Sequence, residues 1–169
     1  MIETARSDLF ISVIDDHKGI LHKIANIYAR DAESKKDLIQ EIVLQLWKSF
    51  DRYDPRFKYS TWIYKVALNV SLGFSRKEYN RSKRFDPLRD DLVHLFAIDE
   101  SGEQEANFQH LQQFITELKE LDRAILVLYL EEKSQKEMAE IVGITESNIS
   151  TRIGRVKALL KQKFSQLSK

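Results

Sequence analysis

A chain of 169 residues with 43% hydrophobic content can build one sizeable core or two small ones, and its lack of cysteine excludes a disulfide framework or thiolate metal site. Asp8, Asp15, Asp16 and His17 interrupt the first twenty residues, so no apolar run there has the length of a signal sequence or a membrane span; the expectation is a cytoplasmic chain without direct membrane insertion. The formal charge of +1 excludes a uniformly basic coat but hides a segregation: residues 56 to 84 hold eight bases and one acid, residues 85 to 107 seven acids and one base, and residues 108 to 169 ten bases and eight acids.

Five glycines, two prolines and no strong period-two alternation predict an all-α chain. Leu9, Phe10 and Val13, then Ile20, Leu21, Ile24, Ile27 and Tyr28, recur at helical spacing over about Ser7 to Ile14 and Lys18 to Ala29. Ser34 with Asp37 reads as a capping-box-like start for a helix to about Phe50. Its apolar stripe is Leu38, Ile42, Val43, Leu46 and Trp47. Asp37, Gln40, Glu41 and Lys48 lie opposite, on a face that suits either a basic partner helix or plain solvent.

Pro55 and Asp54 break that helix, and Ser60 or Thr61 is expected to cap the next, which runs to about Tyr79 with Ile63, Val66, Ala67, Val70 and Phe74 buried. Loop and helix interleave Tyr53, Phe57, Tyr59, Trp62 and Tyr64 with Arg56, Lys58 and Lys65. Aromatics beside cations suit unpaired bases, because every base has a face to stack; Trp62 is expected instead to fill the core. Residues 80 to 107 contain Pro87 and Gly102 and no sustained stripe, which predicts an acidic linker and a domain boundary. Two helices then follow, from about Glu105 to Leu118 (Phe108, Leu111, Ile115, Leu118) and from Asp122 to Glu131 (Ile125, Leu126, Leu128, Tyr129).

The stretch from Ser134 to Lys157 reads as a helix-turn-helix. Ser134 and Glu137 form a capping box, Met138, Ala139, Ile141 and Val142 an apolar stripe, Gly143 a helix stop and Thr145 a new N-cap. At about 100° per residue, Ile149, Ile153, Val156 and Leu160 fall on one side of the second helix. Ser147, Asn148, Thr151 and Arg155 fall on the other, with Arg152 flanking, and this is chemistry that reads base edges and phosphates in a major groove. An αα-hairpin with a solvated polar face is the alternative.

Together these pieces resemble the sigma-70 family of bacterial RNA polymerase specificity factors, in its small extracytoplasmic-function group. DLIQEIVLQLW at Asp37 to Trp47 and STWIYKVALN at Ser60 to Asn69 resemble the family's region 2, and Leu118 to Leu160 resembles region 4. The resemblance implies a region 2-like bundle over residues 1–82, an acidic linker over 83–106 and a region 4-like domain over 107–169. It also implies a promoter-specificity factor that is not an enzyme and needs neither cofactor nor metal. Its partners would be core RNA polymerase, promoter DNA and an anti-sigma factor.

By the same resemblance Asp37, Leu38, Gln40 and Glu41 dock on core polymerase. Arg56, Phe57, Lys58, Tyr59, Lys65, Asn69, Arg76 and Lys77 serve the minus-10 element, with Phe57, Lys58 and Tyr59 walling a pocket for a flipped base and Arg81, Lys83 and Arg84 continuing the phosphate track. Ser147, Asn148, Thr151, Arg152 and Arg155 read the minus-35 element. The linker acids, among them Asp90, Asp91, Asp99 and Glu100, act either as a displaceable RNA mimic in the polymerase cleft or as a spacer.

The sequence departs from the family pattern at Gly73, where an acid is common, at Ser147, Asn148 and Ser150 in the recognition helix, and at Asp122, which stands for a usual proline and is expected to cap its helix. An ordinary helix-turn-helix regulator is the second reading. An enzyme has little support, since His17, His22, His94 and His110 form no metal-spaced or triad-like set.

Overall fold

The computed structural model describes residues 1–82 and 102–168, and all described regular structure is helical. The order is α1 (Ile2–Asp16), α2 (Lys18–Tyr28), α3 (Ala32–Ser49), a single 3-10 turn (Phe50–Arg52), α4 (Tyr59–Ser82), α5 (Gly102–Glu117), α6 (Glu120–Leu130), α7 (Gln135–Val142) and α8 (Glu146–Leu167). The chain divides into two compact units with the boundary at residues 97 and 98. Asp90, Asp91, Asp99, Glu100, Lys83 and Arg84 lie outside the described residues.

In the first unit α2, α3 and α4 pack on one another and α1 leans on α2. Leu21, Ile24, Ala25 and Tyr28 meet Leu38, Ile42 and Leu46 and, from α4, Ile63, Tyr64, Ala67 and Leu68. Each buried Leu or Ile contributes about 1.5–3 kcal/mol of apolar burial. Ser71 is buried among them and is satisfied locally, its Oγ donating to the Ala67 carbonyl at 2.7 Å.

Three boundaries differ from the sequence expectation. The carboxylate of Asp31, not the Ser34 hydroxyl, caps α3 by accepting the Ser34 N–H at 2.7 Å, since a carboxylate at this position also complements the helix dipole. Helix α4 opens at Tyr59, ahead of Ser60 and Thr61, and α5 opens at Gly102, inside the segment expected as linker. In α1, Leu9 is exposed while Phe10 and Val13 are buried; in α4, Tyr64 and Leu68 are buried where Val66, Val70 and Phe74 are half-buried.

In the second unit α6 carries the core, with Ala124 through Leu128 all buried, and α7 and α8 pack against it through Met138, Ile141, Ile149, Ile153 and Val156. The guanidinium of Arg123 closes the end of α5, donating to the carbonyls of Ile115, Thr116 and Leu118 at 3.0, 2.7 and 3.3 Å. Two left-handed residues set the corners around α7. Gly143 has φ +80° and ends α7 as expected, its N–H donating to Ala139 at 2.9 Å. Glu132, at φ 58°, holds the same conformation after α6, and the following Lys133 N–H reaches back to the Leu128 carbonyl at 3.1 Å.

These two corners are opposite cases, since a side chain in the left-handed region costs about 1–2 kcal/mol and a Cβ at Gly143 would meet no atom within 4 Å. Glu132→Gly is expected to raise the stability of the second unit by about 1 kcal/mol and Gly143→Ala to lower it by about as much. Urea titration of the full chain, followed by amide exchange in α6 and α7, measures both.

Candidate nucleic-acid interface

The loop between α3 and α4 is built to hold its shape. Arg6 of α1 lies with its guanidinium carbon 3.9 Å from the Trp47 ring centroid and donates through Nε to Asp51 at 2.8 Å, tying α1 to the 3-10 turn. Asp54 and Pro55 then make a tight turn, in which the Phe57 N–H donates to the Asp54 carbonyl at 3.1 Å and the Asp54 carboxylate accepts the Arg56 N–H at 3.0 Å. The Arg56 guanidinium grips the same carboxylate, with Nη2 to Oδ2 at 2.6 Å, and these bonds hold Asp54 below the usual carboxylate range. The Tyr53 hydroxyl donates to the Phe57 carbonyl, and burial together with the neighbouring Tyr59 and Asp54 raises its pKa.

Tyr59 stacks on Tyr53 with centroids 4.4 Å apart and planes 17° from parallel; tilted contacts continue through Trp62 to Phe50, and edge-to-face contacts from Phe50 to Phe10 and Trp47. Trp62 is therefore half-buried at the margin of the core, and Tyr59 is half-buried as a wall rather than a free ring. Phe57 stands out at 39% exposure beside exposed Arg56 and Lys58. On α4, Lys65, Asn69 and Arg76 are exposed and fall on one stripe at spacings of four and seven, with Lys77 adjacent; the side chain of Arg81 is not described.

On α3, Asp37, Gln40 and Glu41 are exposed, and Glu41 accepts from the Gln45 amide at 3.0 Å. Leu38 is the correction: it is 0% exposed in the core beside Ile42 and Leu46 and has no surface to offer a partner. Leu44, at 44% exposure, takes the apolar place on the outward face, three residues after Glu41 and seven after Asp37. Helical spacing alone would have placed it there.

The helix-turn-helix stands as read from the sequence. Ser134 Oγ accepts the Glu137 N–H at 3.1 Å, Glu137 Oε2 accepts the Ser134 N–H at 2.9 Å, and Thr145 Oγ1 accepts the Asn148 N–H at 3.1 Å. Ser147, Asn148, Ser150 and Thr151 are exposed near the start of α8, where the helix dipole favours anions. Tyr129, expected in the core, is exposed, with the Lys157 ammonium 4.6 Å from its ring centroid.

The two arginines of α8 are not simple outward cations. Asp122, in the first turn of α6, has a side chain only 6% exposed and makes no cap; its Oδ1 accepts from Arg152 Nη1 at 2.8 Å, and both its oxygens accept from Arg155 Nη2, at 2.9 and 2.8 Å. Arg152 also donates through Nε to Asn148 Oδ1 at 3.1 Å. Arg152 is thus mostly enclosed, at 26% side-chain exposure, while Arg155 keeps 53%. Asp122 lies 30 and 33 residues from these partners, a separation without a local sequence signal.

Among the described residues no group of three or more His, Cys, Asp or Glu side chains is placed to hold a metal ion, and no helix is long and apolar enough to cross a membrane. His17 is occupied locally, its Nδ1 lying 2.8 Å from the Val13 carbonyl.

The family model described as sigma-70 region 2 matches residues 13–81, and that described as sigma-70 region 4 matches residues 108–160. The chain is 23% identical to the ECF RNA polymerase sigma factor SigW of Bacillus subtilis over 98% of this chain and 94% of that one. It is 28% identical to the ECF sigma factor SigM of the same organism, over 81% and 83%. Among solved structures, CnrH in complex with the cytosolic domain of CnrY has a TM-score of 0.68 at 17% identity, covering 95% of this chain and 90% of that one. RpoE in complex with the anti-sigma factor NepR from Bartonella quintana has a TM-score of 0.70 at 18% identity, covering 94% and 96%.

The contrast between Leu38 and Glu41 is directly measurable, because both tryptophans, Trp47 and Trp62, sit in the first unit and report its unfolding. Leu38→Ala is expected to cost about 2–5 kcal/mol in urea unfolding followed by fluorescence, and Glu41→Ala less than about 0.5 kcal/mol.

Proposed function

The chain belongs to the sigma-70 family of RNA polymerase specificity factors, in the extracytoplasmic-function group, and from that premise we propose how its two units divide the recognition of a promoter. The protein binds core RNA polymerase and directs it to promoters. Residues 1–82 act as the region 2 domain and residues 107–169 as the region 4 domain, joined by 83–106. Asp37, Gln40 and Glu41, with Leu44 among them, form the surface for core polymerase. The protein supplies binding free energy and performs no bond chemistry, and it works in the cytoplasm, where its polymerase is.

The observation that carries this reading is that Phe57 and Lys58 are exposed on the Asp54–Pro55 turn and are followed on α4 by exposed Lys65 and Asn69, one helical turn apart. An exposed ring, an amide and two cations suit a base that has left its stack: the ring stacks, the amide bonds a base edge, and the cations hold the strand. Paired DNA offers such a ring nothing to stack on. Helix α8 carries the opposite chemistry, short hydroxyl and amide groups at a capped helix start, which suits base edges in an intact major groove at the minus-35 element. Grip on duplex by one unit raises the effective concentration of the other at the strands it must hold open.

An anti-sigma factor is the controlling partner, in keeping with the complex in which the similar RpoE was solved. Run-off transcription from a promoter library with purified core polymerase tests the function. Added chain should create promoter-dependent transcripts, and duplex binding without any association with core would instead mark an ordinary helix-turn-helix regulator.

The division of labour predicts distinct defects. Phe57→Ala and Asn69→Ala are expected to slow open-complex formation about tenfold with closed-complex affinity kept, in line with the ~1–3 kcal/mol of one stacked base. Arg155→Ala is expected to lower closed-complex affinity about tenfold, while Arg152 still compensates Asp122. Permanganate reactivity reports opening and filter binding reports the closed complex; equal loss at both stages in all three variants contradicts the division.

A further inference from the structure

We propose that Asp122 is a positioning residue that sets which bases α8 accepts, acting through Arg152 on Asn148 and directly on Arg155; the inference rests on the reading that α8 contacts paired promoter DNA. A carboxylate withdrawn from water to 6% exposure requires compensation, and here both compensating cations come from the recognition helix. The chain of bonds runs from Asp122 Oδ1 to Arg152 Nη1 at 2.8 Å, and from Arg152 Nε to Asn148 Oδ1 at 3.1 Å. Arg155 joins the same carboxylate by Nη2.

Two consequences follow from the donor and acceptor chemistry. With one lone pair of the Asn148 Oδ1 committed to Arg152, this amide is biased toward meeting a base through its NH2, a donor. A donor suits the major-groove acceptors of guanine, adenine N7 or thymine O4 and is mismatched to the N4 amine of cytosine. Arg155, anchored at one nitrogen and half exposed, reaches outward with much of its rotamer freedom already lost, so less remains to be lost when it meets a guanine edge. Asp122 in this way converts a charged helix face into one with a defined donor pattern.

The test uses full chain bound to core polymerase, with competition binding over a library of duplexes randomised at the minus-35 element. Wild type is expected to reject cytosine at one position. Asp122→Asn is expected to lose that rejection and to lower overall discrimination about tenfold, while affinity for non-promoter duplex stays the same or rises, because guanidiniums are released from a carboxylate. A purely structural role would lower both affinities in proportion and leave the base preferences unmoved, and that result overturns the proposal.

Arg152→Lys provides a second arm should Asp122→Asn unfold. It retains a cation for Asp122 but lacks the planar fork that also reaches Asn148, so it should admit cytosine at the same position and keep the preference assigned to Arg155. An unchanged profile in Arg152→Lys also overturns the proposal. A wild-type profile that is flat at every minus-35 position refutes the function assigned to α8 itself, which is a distinguishable failure.

Discussion

Everything the protein presents to nucleic acid is set by what its helices bury. A helix turns about 100° per residue, so fixing Ile63, Ala67 and Ser71 of α4 in the core leaves Lys65, Asn69 and Arg76 no direction but outward. The same rotation applied to Ile149, Ile153 and Val156 turns out Ser147, Ser150 and Thr151 on α8. The apolar contacts supply the stability and, with it, the aim of the polar groups. This is why Leu38 and Glu41, three residues apart on α3, do such different things.

Charge acts on top of that scaffold in two ways. The Asp54–Arg56 pair is local and open to water, where ion pairs contribute little to stability, and its effect is to hold the turn that displays Phe57. The Asp122 cluster joins α6 to α8 around an enclosed carboxylate, with Arg152 mostly enclosed and Arg155 half exposed. Enclosed ion pairs are weak grounds for stability, because the loss of hydration offsets most of the attraction. What such a cluster contributes more reliably is direction, and the guanidiniums it orients belong to α8, the helix that carries the exposed polar face.

Features determined by neighbours within three or four residues were readable in the sequence. The Ser134–Glu137 box, the Gly143 stop and the Thr145 cap all close hydrogen bonds inside one helical turn, and each formed as written. The local pattern was ambiguous where two residues competed for one role, as when Asp31 displaced Ser34 at the start of α3, and silent where an unfavoured residue took a special conformation, as Glu132 did. Partial burial was also opaque. Tyr129 lies on the expected helix but at its rim, covered by Lys157 instead of by the core. The union of Asp122 with Arg152 and Arg155 depends on tertiary packing across 30 and 33 residues, so no periodicity announces it.

The division of strands between the two units is tested most directly by photo-cross-linking from probes placed singly at Asn69 and at Ser150 of the full chain bound to core polymerase. Two promoter fragments are compared, one fully paired and one with the minus-10 segment unpaired. The expected result is that the Asn69 probe captures DNA only when the minus-10 strand is unpaired, whereas the Ser150 probe captures paired minus-35 DNA on both fragments. Equal capture by the Asn69 probe on the two fragments, before any opening, would contradict it.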